Sequence, residues 1–297
     1  MLNLERLRVL NAIATHGSVQ AAADSLDVSP SAVSQQIAKL EQEVGQPLLV
    51  RSGRGIRLTD TAQLLAARAS TLLDAVEKLE GDLDDLHGNV AGTITITAFP
   101  TAARGLGPRL VQQLHAAYPN LIVSIHEEEP TTAIPALSRG ETDIVIGQDW
   151  SNSPVVLPNG LTKQHLFNDI VDIALPKDHR LAKRREITFK QLADQPWVSW
   201  PPGSTCGDWL IHTYRTNGNE PRVAHIVGEH TTQLAFVEAG LGAAVIPRLG
   251  RPPVPEGVKL VRSSPTFHRS IFAAWRTNNA QRSNITAVKQ VLTKLKP

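Results

Sequence analysis

A group of small hydroxyl and amide side chains between residues 30 and 42 has the chemistry to read nucleic acid. Ser31, Ser34 and Gln35 lie there with Lys39 beside them, directly after Pro30. In a helix that turns 100° per residue, these side chains share one face that has no large apolar residue. Hydroxyl and amide groups form hydrogen bonds with base edges in the DNA major groove, which is wide enough to admit a helix. An ordinary solvated helix face is the alternative, and the neighbouring elements must decide between the two.

The residues around this face predict a helix, a tight turn and a second helix. Ser18 is a good N-cap for a first helix that continues to Leu26, and Asp27 is suited to the turn. Ser29, followed by proline, marks the start of the second helix. Apolar residues at steps of four, three and four form the inward face of this second helix: Val33, Ile37, Leu40 and Val44. Because the polar face lies opposite, the pattern favours a DNA-binding helix-turn-helix over an ordinary surface helix.

A basic loop follows the second helix. Arg51, Arg54 and Arg57 lie in the segment RSGRGIRLT, which contains no acidic residue. Gly53 and Gly55 allow this segment to turn tightly as a hairpin, and its arginines then reach phosphates or the minor groove. We interpret the segment as the wing of a winged helix-turn-helix. A solvated basic turn is the alternative.

Residues Leu4 to Thr59, especially AAADSLDVSPSAVSQQIAKLEQEVGQPLLVRSGRGIRLT, resemble the winged helix-turn-helix of the LysR-type transcriptional regulators. Pro30 departs from that family where glutamine is frequent, and Gln63 departs where glycine is frequent. The resemblance implies a bacterial transcription factor of three parts. These are a DNA-binding domain over residues 1–60, a dimerising linker helix over 61–90, and an α/β effector-binding domain over 91–297 that resembles periplasmic solute-binding proteins.

Residues of both helices and of the basic loop are expected to contact double-stranded operator DNA. They are Ser18, Gln20, Pro30, Ser31, Ser34, Gln35, Lys39, Arg51 and Arg54. We expect Gln35 to form a bidentate pair with adenine, whereas Arg51 and Arg54 position the domain through the DNA backbone. RNA polymerase is a further expected partner.

The segment from Asp60 to His87 is predicted to be one long helix, because it contains no proline and only one glycine, Gly81. Its apolar residues recur at alternating steps of four and three, the heptad seam of a coiled coil: Leu65, Ala69, Leu72, Val76, Leu79, Leu83 and Leu86. A second copy of the chain is the simplest partner for this seam, and a dimer matches the two-fold symmetry of operator half-sites. The resemblance adds the pairing of dimers into tetramers. Packing of the helix against the chain's own C-terminal domain is the alternative.

The sequence after Gly88 predicts a two-lobed α/β domain. Apolar residues alternate in TITITA at 93–98, and NLIVSIH at 120–126 and TDIVIG at 142–147 are further strand-like runs. Helix-length segments separate these runs, which favours a parallel sheet, and the same order of elements repeats beyond residue 160. The resemblance places the hinges near Leu161 and Thr266, so that lobe I covers about 91–161 and 267–297 and lobe II about 162–266.

Ligands of two-lobed domains bind in the cleft at the carboxyl ends of strands, where the N-termini of helices present N–H groups. Three loops of this chain have that position, and the resemblance places effector contacts on the same loops. Their residues are Phe99, Pro100 and Thr101 in the first loop, Ser199, Trp200, Gly203, Ser204 and Thr205 in the second, and His230 and Thr231 in the third. We expect Thr101 to cap the helix after it, and we expect a small polar or anionic effector such as a carboxylate.

Composition and the absence of certain motifs limit which other classes of protein the chain can belong to. The 297 residues are 41% hydrophobic, contain no apolar run that spans a bilayer and begin without a signal peptide, so we expect a multidomain cytoplasmic protein without membrane contact. The single cysteine, Cys206, excludes an intrachain disulfide and a thiolate-only metal site. The sequence lacks GxSxG, HExxH and P-loop motifs, and we expect neither an enzyme nor a bound metal or cofactor. The three acids Glu127 to Glu129 are interpreted as a solvated loop.

Two other functions are consistent with parts of the sequence. A transport binding protein would use two lobes, but it needs an export signal and has no use for residues 1–60. An architectural DNA-binding protein that needs no ligand would use the first domain but not the cleft. A ligand-dependent change in operator affinity or footprint separates this second alternative from a ligand-responsive regulator.

Overall fold

The computed structural model describes residues 2–52, 55–86, 90–150, 152 and 154–295. The chain divides into two compact units, Met1–His87 and Gly88–Pro297. The first unit contains the predicted DNA-binding domain together with the linker helix, and the second contains the predicted effector domain. Among the residues described, no helix combines the length and the apolar character that crossing a membrane requires.

The first unit is a helix-turn-helix followed by a hairpin and a long helix. Its elements are α1 (Leu4–His16), α2 (Val19–Ser25), α3 (Pro30–Val44), β1 (Leu49–Ser52), β2 (Gly55–Leu58) and α4 (Asp60–Leu86). Strands β1 and β2 pair antiparallel, from Leu49 opposite Leu58 to Ser52 opposite Gly55. This order confirms the predicted winged helix-turn-helix and the long helix after it.

Local hydrogen bonds explain where the two helices of the motif begin. The Ser18 hydroxyl accepts a hydrogen bond from the Ala21 N–H at 3.1 Å, and the Ser29 hydroxyl accepts one from the Ala32 N–H at 3.2 Å. Between the helices, Asp27 has a φ of 53°, a left-handed conformation that aspartate tolerates better than most residues. The two caps and the turn residue together fix the direction in which α3 leaves the turn.

The core of the first unit combines α1, α3 and the first half of α4. Leu7 and Leu10 of α1 and Val33 and Leu40 of α3 are at most 1% exposed. From α4 the fully packed side chains are alanines: Ala62, Ala66 and Ala69. Because alanine is small, α4 can lie close against α1. The first half of the linker helix is therefore part of the core of the DNA-binding domain.

The second unit consists of two α/β lobes. Lobe I contains β3 (Gly92–Ala98), α5 (Pro100–Ala117), β4 (Leu121–Glu127), α6 (Pro130–Arg139), β5 (Ile144–Trp150), β12 (His268–Arg276), a 3-10 helix (Thr277–Asn279) and α9 (Ser283–Lys294). Lobe II contains β7 (Glu186–Ile187), a 3-10 helix (Phe189–Leu192), β8 (Pro196–Ser199), α7 (Thr205–Thr216), β9 (Arg222–Ile226), α8 (His230–Glu238), β10 (Ala244–Pro247) and β11 (Val258–Ser263). One long strand, β6 (Leu161–Pro176), belongs to both lobes.

Strand β6 connects the lobes through a sheet with the order β4-β3-β5-β12-β6-β11-β7, in which β10 also pairs with β6. Strand β3 is parallel to β4 and β5, as predicted, whereas β12 is antiparallel to β5 and β6. Residues Leu161 to Ile170 of β6 pair with β12, and the residues from Val171 onward pair with β10 and β11. The passage between lobes therefore lies inside β6, later than the hinge expected near Leu161, because one continuous strand of 16 residues serves both lobes. The second hinge, where the chain is expected to return to lobe I near Thr266, lies just before β12, which starts at His268.

Aromatic side chains form the core of lobe II and join it to lobe I. Trp197, Trp209 and Tyr214 are at most 1% exposed. The rings of Trp150 and Trp209 stack with their centroids 3.9 Å apart, and Trp150 is the last residue of β5 in lobe I. Lobe I has a separate aliphatic core around β3 and α5. The stacked pair is therefore a direct contact between the two lobes.

Candidate functional site

The polar face predicted on α3 is exposed in the structure. Ser31, Ser34, Gln35 and Lys39 are exposed, and Pro30 at the start of the helix is half-buried. The apolar face on the other side of the helix is buried in the core of the first unit. The helix therefore presents its hydroxyl, amide and ammonium groups to solvent.

Some of the small polar side chains are already engaged in local hydrogen bonds. Ser34 Oγ donates to the Pro30 carbonyl oxygen at 2.9 Å. Gln20 Nε2 donates to a carboxylate one turn later in α2, also at 2.9 Å. Among the exposed residues of α3 that are predicted to contact DNA, Gln35 and Lys39 have the longest polar side chains. These two are therefore the strongest candidates for contact with DNA.

The hairpin of β1 and β2 carries the basic residues of the predicted wing. Arg51 is exposed on β1, opposite Ile56, and Arg57 is exposed on β2, opposite Val50. Arg54 lies outside the described residues. Because cross-strand partners share a face, the pairing places Arg51 and Arg57 on opposite faces of one short hairpin.

The apolar seam of α4 has a buried part and an exposed part. Leu65 packs against the core of the first unit, and Ala69 is fully buried in that core. Farther along the helix Val76 is half-buried, Leu72 is 49% exposed and Leu79 is 59% exposed. The last two seam residues, Leu83 and Leu86, lie outside the side chains that the structure describes. The surface open to a partner helix therefore starts at Leu72, because the earlier seam residues already pack within their own chain.

A cavity of about 220 Å³ lies between the two lobes of the second unit. Lobe I contributes Phe99, Pro100, Thr101, Arg104, Glu127, Glu129, Gln148 and Arg269, and lobe II contributes Trp200, Cys206, Gly228, Glu229 and His230. A water molecule takes up about 30 Å³ in the liquid, so the cavity has room for a small organic molecule. Since both lobes supply the wall, the cavity depends on their relative arrangement.

A buried arginine organises the wall that lobe I contributes. Arg269 of β12 is 2% exposed. Its Nε donates to Asp169 Oδ2 at 2.9 Å, its Nη1 to Gln148 Oε1 at 2.6 Å and its Nη2 to Thr101 Oγ1 at 2.7 Å. The other oxygen of Asp169 accepts a hydrogen bond from the Leu249 N–H at 2.9 Å. The network joins β12, β6, β5 and α5 at one point, and one buried carboxylate balances the guanidinium charge.

Acidic side chains outnumber basic ones on the cavity wall. The acids are Glu127, Glu129 and Glu229, and the bases are Arg104 and Arg269. Arg104 Nη2 lies 3.7 Å from Glu229 Oε1, and Arg269 already has its own buried carboxylate. Burial raises the pKa of Glu129, while the charge of Arg269 opposes that rise. Pairing of the two arginines therefore leaves a surplus of carboxylates on the wall.

His230, the first residue of α8, forms another part of the wall. It is 7% exposed, and its ring centroid lies 5.4 Å from that of Trp200. Burial and the nearby charge of Arg269 lower the pKa of His230 to about 3, so the ring is neutral at neutral pH. In the part of the chain that the structure describes, no group forms a hydrogen bond with its Nε2. The wall therefore contains a neutral imidazole with one unpaired nitrogen.

Cys206, in the first turn of α7, completes the wall beside Gln148. The thiol is 6% exposed, and Gln148 Nε2 donates to its Sγ at 3.4 Å. Burial raises the pKa of the thiol to about 12, which keeps it protonated and weakly nucleophilic. No group of three His, Cys, Asp or Glu side chains is arranged to hold a metal ion within the described ranges. Cys206 therefore serves the wall as a small, weakly polar side chain.

Half of the residues predicted to contact the effector lie on this cavity: Phe99, Pro100, Thr101, Trp200 and His230. The others lie outside its wall, and they are Ser199, Gly203, Ser204, Thr205 and Thr231. Ser204 Oγ accepts a hydrogen bond from the Gly207 N–H at 3.1 Å, and the Gly203 N–H donates to Asp208 Oδ1 at 2.8 Å. These groups hold their own loop and the start of α7, which explains why they do not face the cavity.

Thr101 does not cap α5, which corrects the prediction. The helix begins at Pro100, with Phe99 in the N-cap position and without a side-chain cap hydrogen bond. Proline suits the first helical position because its φ is fixed and it has no N–H to satisfy. Thr101 therefore lies inside the helix, where its hydroxyl accepts the hydrogen bond from Arg269 instead.

Sequence reasoning missed most of the polar wall: Arg104, Glu127, Glu129, Gln148, Glu229 and Arg269, together with Cys206 and Gly228. The sequence does carry a signal for Arg269, because an arginine beside the apolar run SIFAAW is a charge in a buried strand and needs a partner. For the acids there is no comparable signal. Glu127 and Glu129 both border the cavity; Glu127 and Glu128 are exposed, as expected of a solvated segment, whereas Glu129 is half-buried.

Two family models match the chain. Residues 4–63 match the bacterial regulatory helix-turn-helix protein, lysR family, and residues 87–296 match the LysR substrate binding domain. The chain belongs to the LysR family of transcriptional regulators. The first match lies in the unit with the helix-turn-helix, and the second covers the unit with the cavity. The chain is therefore a LysR-type regulator with both a DNA-binding domain and an effector-binding domain.

Relatives of known name support the same family. A protein of Cyanidioschyzon merolae named as a probable RuBisCO transcriptional regulator is 31% identical over 247 residues, which is 82% of this chain and 80% of that protein. The dual regulator OxyR of Escherichia coli K12 is 27% identical over 294 residues, 98% of this chain and 95% of OxyR. A full-length OxyR variant from Pseudomonas aeruginosa has the same fold, with a TM-score of 0.73 at 21% identity over 100% of this chain and 99% of that one.

Proposed function

We propose that this LysR-type regulator reads operator DNA with Gln35 and Lys39 of α3 and holds the DNA backbone with Arg51 of the β1–β2 hairpin. A small molecule in the cavity between the lobes changes that binding. The cavity is the observation that supports this proposal, because its wall comes from both lobes and contains the buried network of Arg269. A molecule in the cavity stabilises one arrangement of the lobes over others.

The oligomer is the second part of the proposal. The half of α4 that starts at Leu72 exposes leucines at heptad spacing, and a second copy of the chain covers them. Two copies place two α3 helices on the two half-sites of a palindromic operator. The resemblance to the LysR family further suggests that two such dimers pair into a tetramer.

The coupling between cavity and DNA need not be large. Allosteric coupling free energies are typically about 1–3 kcal/mol, which is a change in affinity of about 5–150-fold. A change in lobe arrangement alters how the two copies pair, and with it the spacing or bend of the bound DNA. The regulator acts in the cytoplasm on chromosomal DNA, and RNA polymerase is the partner through which it changes transcription.

Two measurements on the full chain test the proposal. Operator sites are selected from a pool of random DNA duplexes, and small molecules that raise the melting temperature are found in a metabolite screen. We expect at least one stabilising molecule to change operator affinity or footprint length. Operator affinity and footprint that both stay the same with every stabilising molecule would favour the ligand-independent architectural protein instead.

A further inference from the structure

The charge on the cavity wall indicates which class of molecule fits it. Arg269 is paired with Asp169 at 2.9 Å, and Arg104 lies 3.7 Å from Glu229, so these four charges cancel in pairs. The wall also holds two further acidic side chains, the exposed Glu127 and the half-buried Glu129; burial raises the pKa of Glu129 and the charge of Arg269 opposes that rise. A molecule that enters the cavity therefore meets a net negative wall.

His230 supplies an independent observation that points to a ligand. His230 lies on the cavity wall and is only 7% exposed, yet its Nε2 has no hydrogen-bond partner among the described residues. Unpaired buried polar atoms are costly and are normally satisfied by protein, water or ligand. Because the ring is neutral, it adds no positive charge to the wall and does not repel a cation.

Two helix N-termini at the cavity and the buried arginine are already satisfied within the protein, whereas α5 begins at Pro100 without a side-chain cap. The N-terminus of α7 is capped by Ser204 and that of α8 by Glu229, whose Oε2 accepts a hydrogen bond from the Thr232 N–H at 2.8 Å. The guanidinium of Arg269 makes three hydrogen bonds within the protein and lies 5.0 Å from the centroid of the Phe99 ring. The N-termini of α7 and α8 and this arginine are therefore not open anion sites.

We propose that the effector is a small organic cation with an ammonium, amidinium or guanidinium group that donates hydrogen bonds to Glu129. The indole of Trp200, on the opposite lobe, forms the apolar side of the site. The proposal rests on the proposed function, since it assigns a ligand class to the same cavity. It also joins the two lobes, because Glu129 belongs to lobe I and Trp200 to lobe II.

Three flat molecules of nearly the same shape test the charge of the ligand. Benzamidinium is positive, benzamide neutral and benzoate negative, so shape is constant while charge changes. Calorimetric titration of the full chain at pH 7 measures the affinity of each. We expect benzamidinium to bind about tenfold more tightly than benzamide and benzoate to bind most weakly. Glu129→Gln should remove most of the preference for benzamidinium over benzamide.

Glu128→Gln is the matched control, because Glu128 is the exposed neighbour of Glu129 and lies outside the cavity wall. This control should keep the full preference, and equal losses in both variants would show that only the general charge of the loop matters and would overturn the site. Tighter binding of benzoate than of benzamidinium would overturn the charge assignment but keep the cavity as the effector site. If none of the three molecules binds, the assigned ligand class fails, whereas the proposed function fails only if no molecule of the metabolite screen changes operator binding.

Discussion

The exposed face of α3 and the cavity between the lobes are built on opposite physical principles. The side chains of the α3 face are exposed to solvent, and in the proposed function Gln35 and Lys39 contact DNA independently of each other. The network in the cavity wall is buried, and its central residue, Arg269, bonds Thr101, which lies 168 residues earlier in the chain. Changes on α3 should therefore affect DNA binding alone, whereas changes in the cavity network should affect the stability of the second unit as well.

The largest expected effect is at Arg269. Arg269→Met removes the guanidinium and leaves Asp169 buried without its cation, which costs about 3–5 kcal/mol of unfolding free energy. All five tryptophans lie in the second unit, so tryptophan fluorescence during urea unfolding reports on that unit. Arg262→Met, at an exposed arginine of the same sheet, is the matched control and should lose little. An equal loss in both variants would contradict the central place of Arg269 in the network.

The next effect is on the seam of α4. Leu79→Asp places a charge among apolar side chains of two copies and should weaken the dimer by several kcal/mol, on the order of the cost of an unpaired buried charge. Light scattering should show a smaller mass, and tight operator binding should be lost with it. Thr71→Asp is the control, because Thr71 is exposed but lies off the seam. A parent mass for Leu79→Asp would rule out this surface as the dimer contact.

The sequence predicts the first region better than the second for a physical reason. Helix periodicity and N-caps are local, so Ser18, Ser29 and the exposed position of Gln35 follow from residues a few positions apart. The cavity depends on which strands become neighbours, and β6 serves both lobes without any break in its sequence pattern. Thr101 shows the same limit, because its hydroxyl serves a strand far along the chain instead of its own helix.

Base readout on α3 should change without any loss of stability. Gln35→Ala removes an amide that can pair with adenine, so discrimination at one base of each half-site should fall by about 1–3 kcal/mol. Arg51→Ala is the contrasting variant, since it should weaken all sequences alike and lower the salt dependence by about one counterion per lost contact. Binding curves on specific and random duplexes at several salt concentrations measure both. If Gln35→Ala weakens specific and random DNA by the same factor, Gln35 does not read bases.

The smallest expected effect concerns the protonation of His230. Its pKa of about 3 in the folded chain lies below the usual value near 6.5, so the unfolded chain binds the proton more readily as the pH falls. This contribution to stability is complete above pH 6.5 and should fall by about 1 kcal/mol between pH 7 and 5.5. His230→Gln should flatten the pH dependence of urea unfolding, and His212→Gln, at an exposed histidine of α7, should not. Identical pH profiles for parent and His230→Gln would contradict the burial of a neutral ring.

The most direct test of a coupled cavity is operator binding with and without ligand after the cavity is narrowed. A Cβ at Gly228 would meet only Pro201 Cδ, at 3.9 Å, so Gly228→Leu fits the backbone and places a side chain on the cavity wall, while Gly228→Ala is a milder version. The ligand is the molecule that raises the melting temperature of the parent chain most. We expect the parent to change affinity or footprint, the alanine variant to respond more weakly, and the leucine variant to bind operator normally but without response. A leucine variant that still responds to saturating ligand like the parent would show that the ligand acts at another site.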